Sequence, residues 1–459
     1  MNEPDTPMTP PTGADGRGGP SFADPVGLGD AHYVTRGMPP VAGVLKQHDE
    51  DFLVDEQPLY QPSGEGEHIY LLVEKRGLST SEMVRIIAKH FRVRESDVGF
   101  AGMKDKHAIT RQVVSVHTPG KTDVDFPMLD HPRVSILWTD LHANKLRVGH
   151  LRANRFSVRL RDADPLGVVT VKKVLDELAR TGVPNYYGEQ RFGARLNNHE
   201  LGRLLLRREY QRLLDVFLGP DNLVDHFSDA EARALYAEGD YKGALARTHD
   251  GMRNAHAALR ALAKGEDAES AVFHVPRLQR RFWISAFQSW LFNRFVADRL
   301  ASGALDALND GDVACRVPSG RPFLIDRETA ENPDTRKRLD EFEISCAGPM
   351  FGARMLPSAH AMASYESALL AQTGVTIDDI AEFDDEQGGA SGTRRAIRVP
   401  LTDPEVEGGV DEHGGYIRVA FELPPGSFAT VVVREITKAH PMPEAARARR
   451  EATREGEGA

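Results

Sequence analysis

The chain has 459 residues, a length that predicts two or three domains at roughly 150 residues each. Its composition, with 41% hydrophobic and 27% charged residues, is typical of a globular protein, and its two cysteines, which form no CxxC pair, exclude a disulfide framework and a cysteine zinc site. The net charge of −11 argues mildly against a nucleic-acid partner, although binding depends on the local distribution of charge rather than on the sum.

The two ends of the chain differ in composition from the rest. Residues 1–35 are rich in Pro and Gly, which predicts a disordered tail, and residues 441–459 are charged and predict a second tail. The N-terminus lacks the apolar segment of a signal peptide, and no stretch is apolar for the roughly 18 residues that a membrane span needs. We therefore expect a cytoplasmic protein without a membrane partner.

Apolar and alternating runs predict strands in the first part of the chain. Ser79 and Glu82 have the spacing of a capping box, which predicts a helix beginning at this point. In the last predicted strand, apolar residues alternate with arginines, as in a half-buried strand with a basic outer face. The strands are predicted at residues 69–73, 112–116, 134–138, 145–148 and 155–161.

Helical patterns dominate the middle of the chain. They are centred on residues 168–180, 199–217, 229–237 and 280–300, and strand patterns return at residues 394–400, 415–421 and 429–435. Strands, then helices, then strands predict an α+β protein with one discontinuous domain. Its predicted parts are residues 36–184 and 396–440, and the mostly helical insertion is residues 185–395.

Charge is unevenly distributed along the chain. Residues 145–161 hold six basic residues and no acid, whereas residues 376–387 hold six acids and residues 402–412 hold five, neither with a base. The strand-rich part could therefore present a basic surface to phosphates despite the negative total. Solvated surface faces would explain the same runs equally well.

The loop GMKDKH, residues 102–107, is the first candidate for chemistry. An Asp in such a loop is most simply a turn former. However, flanking apolar runs hold Asp105 near a core, and the cations Lys104 and Lys106 favour its ionised form. An ionised carboxylate beside a basic surface suits a nucleophile or base acting on RNA. Lys104, Lys106 and His107 are candidate substrate-binding residues, although a structural role is the simpler explanation for His107.

Two further segments combine aromatic and basic residues. Asn154, Arg155 and Phe156 begin the basic strand, which continues to Arg159, and an aromatic ring beside arginines can stack on an unpaired base. Periodicity alone is equally consistent with a core position for Phe156. The segment NYYGEQRFG can bring its backbone and rings close to a ligand or form an irregular packed loop; its candidate residues are Tyr187, Arg191 and Phe192.

Motifs of several other enzyme classes are missing from the sequence. It contains no GxxxxGK[ST], no GxGxxG at a strand-to-helix turn, no HExxH and no GxSxG. Classes that depend on a phosphate-bearing cofactor or on a metal therefore gain no support from it. We expect neither a cofactor nor a metal.

The signature around Asp105 resembles that of a known family. Residues 100–110, FAGMKDKHAIT, resemble the FAGxKDKxAxT signature of the TruD pseudouridine synthases. The resemblance extends over residues 40–440, with further blocks in the order that the family has. These blocks are residues 45–54 (LKQHDEDFLV), 64–68 (GEGEH), 154–156 (NRF), 184–193 (PNYYGEQRFG), 285–293 and 423–435 (LPPGSFATVVVRE).

This resemblance implies a fold, a reaction and a set of site residues. The fold would be the pseudouridine synthase fold, a mixed, largely antiparallel sheet with flanking helices, and the insertion would be the family's helical TRUD domain. The substrate would be a tRNA uridine, at position 13 in bacterial relatives, isomerised by a monomer. Asp105 matches the catalytic aspartate, Asn154 and Phe156 match active-site positions, and Lys46 matches a lysine close to the site. Phe156 would stack on the target uracil.

Two other functions stay open at this point. A catalytically silent tRNA-binding or chaperone module could use the same fold, although the intact Asp105 argues against it. A different tRNA-modifying enzyme, such as a methyltransferase, would need a nucleotide-like cofactor loop, and the sequence shows none.

Overall fold

The chain divides into two compact units. The computed structural model describes residues 33–220, 229–249, 252–317 and 319–438. One unit, called here the split unit, consists of Val34–Val183 and Val399–Ala439, and the other, the central unit, is Pro184–Arg398. The predicted C-terminal tail and all but the last three residues of the predicted N-terminal tail lie outside the described ranges.

The strands and helices are numbered in chain order. The strands are β1 (Val44–Leu45), β2 (Phe52–Pro58), β3 (His68–Arg76), β4 (Val98–Phe100), β5 (Ile109–His117), β6 (Val134–His142), β7 (Leu151–Arg161), β8 (Val183–Pro184), β9 (Val313–Arg316), β10 (Pro322–Leu324), β11 (Ile344–Met350), β12 (Thr393–Ala396), β13 (Arg398–Val399), β14 (Thr402–Asp411) and β15 (Gly414–Leu423). The helices are α1 (Thr80–Phe91), α2 (Val168–Thr181), α3 (Asn198–Leu206), α4 (Tyr210–Leu218), α5 (Ala230–Ala237), α6 (Tyr241–Ala246), α7 (Arg253–Leu262), α8 (Ala268–His274), α9 (Arg277–Ala301), α10 (Arg327–Glu331), α11 (Pro333–Asp340), α12 (His360–Ala371), α13 (Ile377–Gln387) and α14 (Ala429–Thr437). Within the described ranges, each helix is too short or too polar to cross a bilayer.

The split unit is built on one mixed sheet. Its strand order is β14-β15-β7-β2-β5-β3-β6, with β1 added to β7 and β4 added to β5. The pairing of β2 with β5 is parallel, and the other pairings described in this sheet are antiparallel. The predicted α+β class, with a largely antiparallel sheet, is therefore confirmed.

Helix α1 covers one face of this sheet. The predicted capping box is confirmed: the Ser79 side chain accepts from the backbone of Glu82, whose carboxylate accepts from the Ser79 backbone. Because the apolar residues of α1 recur at helical spacing, Met83, Ile87 and Phe91 all point towards the sheet. There they join the inward side chains of β3 in one buried cluster.

Helix α14 replaces a strand that the sequence predicts. The β-branched run at residues 429–435 favours a strand, but the residues form a helix with a buried side of Val432, Val433 and Ile436. Burial of one helical face outweighs the weak preference of valine for strands. The carboxylate of Glu435 accepts from the backbone of Val34 and from Thr35, so these two residues of the predicted tail are ordered.

Two other predictions of secondary structure are also wrong. Residues 145–148 form no strand. The backbone N–H of Leu146 donates to the hydroxyl of Ser115 and not to a backbone carbonyl of a neighbouring strand. The helix predicted at residues 199–217 is two helices, α3 and α4, with the break at Arg208, whose φ is 56°.

The central unit has α9 as its main buried helix. Trp283, Phe287 and Trp290 on α9 are buried, and α3 packs along it. The two helices approach closely at Gly202, where a Cβ atom would lie 2.2 Å from the carbonyl oxygen of Trp283. The sequence predicts mostly helix and loop for this unit, and the structure adds a four-stranded sheet in the order β10-β9-β11-β12.

Candidate active site

The loop between β4 and β5 carries Asp105 at the surface of the split unit. The residues before and after the loop, Ala101 and Ala108, are buried, so both ends of the loop are fixed in the core. The side chain of Asp105 is 29% exposed, which leaves its carboxylate accessible to a ligand.

Lys46 makes an ion pair with the Asp105 carboxylate. Its Nζ lies 3.0 Å from Oδ2 of Asp105 and 4.2 Å from the centroid of the Phe52 ring. The backbone of Lys46 has a φ of 57°, in the left-handed region that costs a residue with a Cβ roughly 1–2 kcal/mol. Such strain is often stored at functional sites. The structure thus places Lys46, which the resemblance matches to a lysine close to the site, beside Asp105.

Lys75 holds the backbone of the same loop from below. This lysine on β3 is fully buried, and its Nζ donates to the carbonyl oxygens of Asp105 at 2.7 Å and Leu78 at 2.6 Å. Burial lowers the pKa of Lys75 to about 8, with the nearby Asp105 carboxylate acting in the opposite direction. On the other side of Asp105, the backbone N–H of Lys104 donates to the Thr80 hydroxyl at 2.9 Å. Asp105 is therefore positioned through its backbone as well as its side chain.

Lys104 points inward, although the sequence assigns it to substrate binding. Its Nζ lies 2.5 Å from Oε2 of Glu56 and 2.6 Å from Oδ1 of Asn154. Burial raises the pKa of Glu56, and the positive charge of Lys104 acts in the opposite direction. Burial also lowers the pKa of Lys104, and the negative charge of Glu56 acts against this shift. The Glu56 carboxylate also accepts from the backbone of Val113 at 3.2 Å. This buried pair fixes Asn154, which lies opposite Glu56 in the sheet.

Phe156 is in the aromatic part of the same sheet face. It lies two residues beyond Asn154 on β7, is 7% exposed, and has its ring centroid 6.1 Å from Phe52 and 5.7 Å from Phe421. The structure thus gives Phe156 a packing role. Phe52 also contacts Lys46, so the aromatic cluster and the Asp105–Lys46 pair adjoin.

The other residues of the signature loop face outward. Lys106 is exposed, with its Nζ 3.9 Å from Oε1 of Glu82, and His107 is exposed as well. Met103 is 71% exposed.

The basic strand β7 carries its own counter-ions. Arg159 lies over the Tyr416 ring at 5.2 Å and makes no ion pair with any described residue. The other arginines of the strand pair with acids brought close by the fold. These pairs are Arg152–Glu422 at 3.4 Å, Arg155–Glu405 at 2.6 Å and Arg161–Asp411 at 2.6 Å. The acidic run at residues 402–412 thus supplies counter-ions for two arginines of the basic run, Arg155 and Arg161.

The aromatic segment after β8 belongs to the central unit. Two guanidinium groups lie over the ring of Tyr187. That of Arg395 is 4.3 Å from the ring centroid, and that of Arg191 is 5.1 Å from it. Its backbone N–H and carbonyl both bind the side chain of Asn293, at 2.8 and 3.0 Å. Phe192 is fully buried against the ring of His199, which gives it a packing role rather than a surface for substrate.

The arrangement in the split unit offers one accessible carboxylate in a basic, partly buried setting. A cation at 3.0 Å favours the ionised carboxylate, which can act as a nucleophile or a base. The sequence analysis missed Lys75, Glu56 and Thr80. A signal existed for the first two, because Lys75 continues the inward alternation of Leu71 and Val73, and Glu56 continues that of Phe52 and Val54.

Comparison with known proteins gives matches over nearly the whole chain. The family model of tRNA pseudouridine synthase D (TruD) matches residues 28–436. A tRNA pseudouridine synthase D of Geobacter sulfurreducens is 40% identical over 412 residues, which cover 89% of this chain and 97% of the relative. One from Syntrophotalea carbinolica is 37% identical over 413 residues, covering 89% and 99%.

A solved structure matches as well. The crystal structure of a Methanosarcina mazei protein assigned as a tRNA pseudouridine synthase D (TruD) aligns with a TM-score of 0.74 at 24% identity, covering 91% of this chain and 97% of that one. This match confirms the predicted fold. Because the family model and relatives of up to 40% identity both extend over most of its length, the chain belongs to the tRNA pseudouridine synthase D (TruD) family, whose members are isomerases.

Proposed function

We propose that the protein isomerises a uridine of tRNA to pseudouridine, at position 13, with Asp105 as the catalytic residue. The observation that carries the proposal is the accessible Asp105 carboxylate, held at 3.0 Å from Lys46 in a loop whose backbone is bound by buried Lys75. The names of the relatives support tRNA as the substrate, and the choice of position 13 rests on the family resemblance.

The reaction suits a site with this chemistry. The bond between N1 and C1′ breaks, the uracil turns, and C5 bonds to C1′; C5 then loses its proton and N1 gains one, so no oxidant or reductant is consumed. Extruding the target nucleotide from the stacked RNA costs a few kcal/mol. Keeping the detached uracil in the site makes the second bond formation effectively intramolecular, which favours rejoining.

Two roles are open to the carboxylate of Asp105. It can attack C1′ as a nucleophile, or it can remove the C2′ proton as a base and give a glycal. Substrate tRNA with deuterium at C2′ of the target uridine distinguishes the two. A slowed turnover supports proton removal, and an unchanged turnover, with chemistry rate-limiting, supports attack.

The other predicted residues receive different roles in this proposal. Asn154 is held by Lys104 and would present its amide to the uracil or ribose, whereas Lys104 itself is a positioning residue. Stacking of Phe156 on the uracil stays a prediction, and its 7% exposure means that the ring would offer an edge or part of a face. Tyr187 and Arg191 stay predictions for RNA contact in the central unit.

The direct test is to measure pseudouridine in tRNA treated with the wild-type protein and with Asp105→Asn. This substitution keeps the shape of the side chain and removes its charge and basicity. We expect tRNA binding within about twofold of wild type and loss of turnover by at least about a thousandfold, a size typical of removing an essential catalytic group. Pseudouridine mapping of the product identifies the modified position.

A matched control is Asp176→Asn on α2. This aspartate makes a surface ion pair with Lys172, which contributes only a few tenths of a kcal/mol. We expect the control to retain wild-type turnover. If Asp105→Asn is as active as the control, Asp105 has no part in the reaction. If the wild-type protein binds tRNA without forming pseudouridine at any position, the silent-module alternative replaces the proposal.

A further inference from the structure

A pocket in the central unit lies on a hairpin for which no function has been assigned so far. The hairpin consists of β9 and β10, and β10 is the edge strand of the four-stranded sheet. The cavity has a volume of about 270 Å³ and is lined by three arginines, a proline and a phenylalanine: Arg316, Arg321, Arg338, Pro322 and Phe323. It therefore combines a high local positive charge with an aromatic ring in a protein whose net charge is −11.

The strand register puts the first two arginines directly opposite each other. Pro322 pairs with Cys315, and the backbone N–H of Arg316 donates to the carbonyl of Arg321 at 3.1 Å, so these two residues form the next pair along the ladder. Side chains opposite each other, or two apart on one strand, share a face of the sheet. Arg316, Arg321 and Phe323 therefore project from the same face of the hairpin.

Such a pair opposes folding unless an anion lies between its members. Like charges directly opposite on neighbouring strands destabilise a sheet. Neither the Arg316 nor the Arg321 guanidinium makes an ion pair or a hydrogen bond with any residue that the structure describes. Arg338 on α11 pairs with Glu343 at 3.2 Å.

The neighbouring arginines behave differently. Arg327 pairs with Glu331 at 3.0 Å, and Arg336 pairs with Asp340 at 2.7 Å. Unpaired guanidinium groups are thus a feature of the hairpin and not of every arginine near it. Guanidinium groups form paired hydrogen bonds to phosphate oxygens, and an aromatic ring beside them can stack on a base.

We propose that the β9–β10 hairpin, together with Arg338, is a binding site for RNA phosphodiesters, which the unpaired Arg316 and Arg321 bridge while Phe323 contacts an adjacent base or ribose. The inference rests on the proposed tRNA substrate. It assigns to the central unit a contact with the RNA backbone that involves none of the residues around Asp105.

The test uses the full-length protein carrying Arg316→Gln and Arg321→Gln together. The dissociation constant of tRNA is measured at several salt concentrations beside the kcat and KM of pseudouridine formation. We expect the dissociation constant and KM to rise about tenfold and kcat to stay within twofold. The slope of log affinity against log salt should fall by about two, since each lost phosphate contact removes close to one unit.

The control removes the same charge from paired arginines, by Arg327→Gln with Arg336→Gln. We expect it to retain the wild-type salt slope within half a unit. A third variant, Arg316→Lys with Arg321→Lys, keeps both charges and loses the guanidinium fork, so it should retain the slope and lose part of the affinity. Relief of the like-charge pair should leave the melting temperature of the glutamine variant unchanged or raised, so weaker binding cannot be attributed to unfolding.

The outcomes are separable from those of the proposed function. If the wild-type protein forms pseudouridine and the hairpin variant matches the control in affinity and slope, the hairpin is no RNA site and the inference fails. If no pseudouridine forms but the hairpin variant still weakens tRNA binding, the inference stands and the proposed activity fails. If inorganic phosphate binds the protein with the intact hairpin at millimolar concentration while the hairpin variant matches the control in tRNA affinity and salt slope, the site is one for small anions and the inference also fails.

Discussion

At the scale of single residues, the position of Asp105 depends on groups buried beneath it. Its carboxylate has Lys46 at 3.0 Å, and its own carbonyl oxygen has the ammonium of Lys75 at 2.7 Å. Replacing a charged side chain at the surface usually changes little. Replacing a buried ammonium that binds two carbonyl oxygens removes this donor from both oxygens, which destabilises the backbone of the loop. We therefore regard Lys75 as a positioning residue for the loop that carries Asp105.

Lys75→Met tests this role through activity. Methionine keeps the unbranched length and removes the donors for the carbonyls of Asp105 and Leu78. We expect kcat to fall by about tenfold or more, because a displacement of about 1 Å in a catalytic group can cost 100-fold, while the dissociation constant of tRNA stays within twofold. The control is Lys89→Met, which changes an exposed lysine of α1. Equal kcat values in the two variants would contradict the role.

The same variant should alter the dependence of stability on pH. Burial lowers the pKa of Lys75 from 10.5 to about 8, and in the unfolded chain the group keeps its ordinary value. Between these values the unfolded state binds more protons, so this group adds stability as pH rises from about 8 towards 10.5. The melting temperatures of the wild type and of Lys75→Met are measured from pH 7 to pH 10. The wild-type value minus the variant value should increase above pH 8.

At the scale of elements, the close crossing of α3 and α9 holds the central unit together. Gly202 lacks the Cβ atom that would lie 2.2 Å from the Trp283 carbonyl oxygen and 3.0 Å from the Phe287 Cβ. Both neighbours belong to a helix that is buried on most sides, so they cannot move away singly. The glycine therefore sets the distance between the two helix axes.

Gly202→Ala should destabilise the protein despite the higher helix propensity of alanine. We expect a loss of about 1–3 kcal/mol in the free energy of unfolding, the cost of overpacking a core, outweighing a gain of about 1 kcal/mol in propensity. Gly37→Ala is the control, because nothing lies within 4 Å of its Cβ position. Chemical denaturation of the two variants measures the difference, and a Gly202→Ala protein as stable as wild type would show that the helices can separate freely.

At the scale of the whole molecule, a protein with a net charge of −11 is expected to bind a polyanion. Two acids of β14, Glu405 and Asp411, pair with arginines of the basic strand β7. Arg155 on β7 is held by Glu405 at 2.6 Å, whereas Arg159 on the same strand rests on Tyr416. Binding of RNA should depend on the cations that remain unpaired rather than on the number of basic residues.

The two arginines should consequently differ in their effect on RNA binding. Arg159→Gln should reduce the slope of log affinity against log salt by close to one unit, as expected for one phosphate contact. Arg155→Gln should reduce it by less than half as much, because its guanidinium already has a counter-ion in Glu405. The measurement is tRNA affinity from low to high salt for each variant. Equal slopes of log affinity against log salt for the two variants would contradict this expectation. They would mean that ion pairs within the protein do not determine which arginines contact RNA phosphates.

Local pattern determined much of this protein. The signature loop with Asp105, the capping box at Ser79 and the strands around residues 69–73, 112–116 and 155–161 all follow from short-range periodicity and motif. These features depend on neighbours along the chain, which is the information that a sequence displays directly. The same alternation, followed through Val73 to Lys75, would also have placed that lysine in the core.

The ion pairs of the basic strand and the helical state of α14 were decided by tertiary structure alone, because the residues that contact each other are far apart in sequence. Arg155 and Glu405 are separated by 250 positions, and only the pairing of β7 with β15, and of β15 with β14, brings them together. Residues 429–435 favour a strand locally but lie in α14, because one face of this helix is buried. Long-range strand pairing and burial outweigh local preferences of a few tenths of a kcal/mol, and so decided which charges are neutralised and which are left for a substrate.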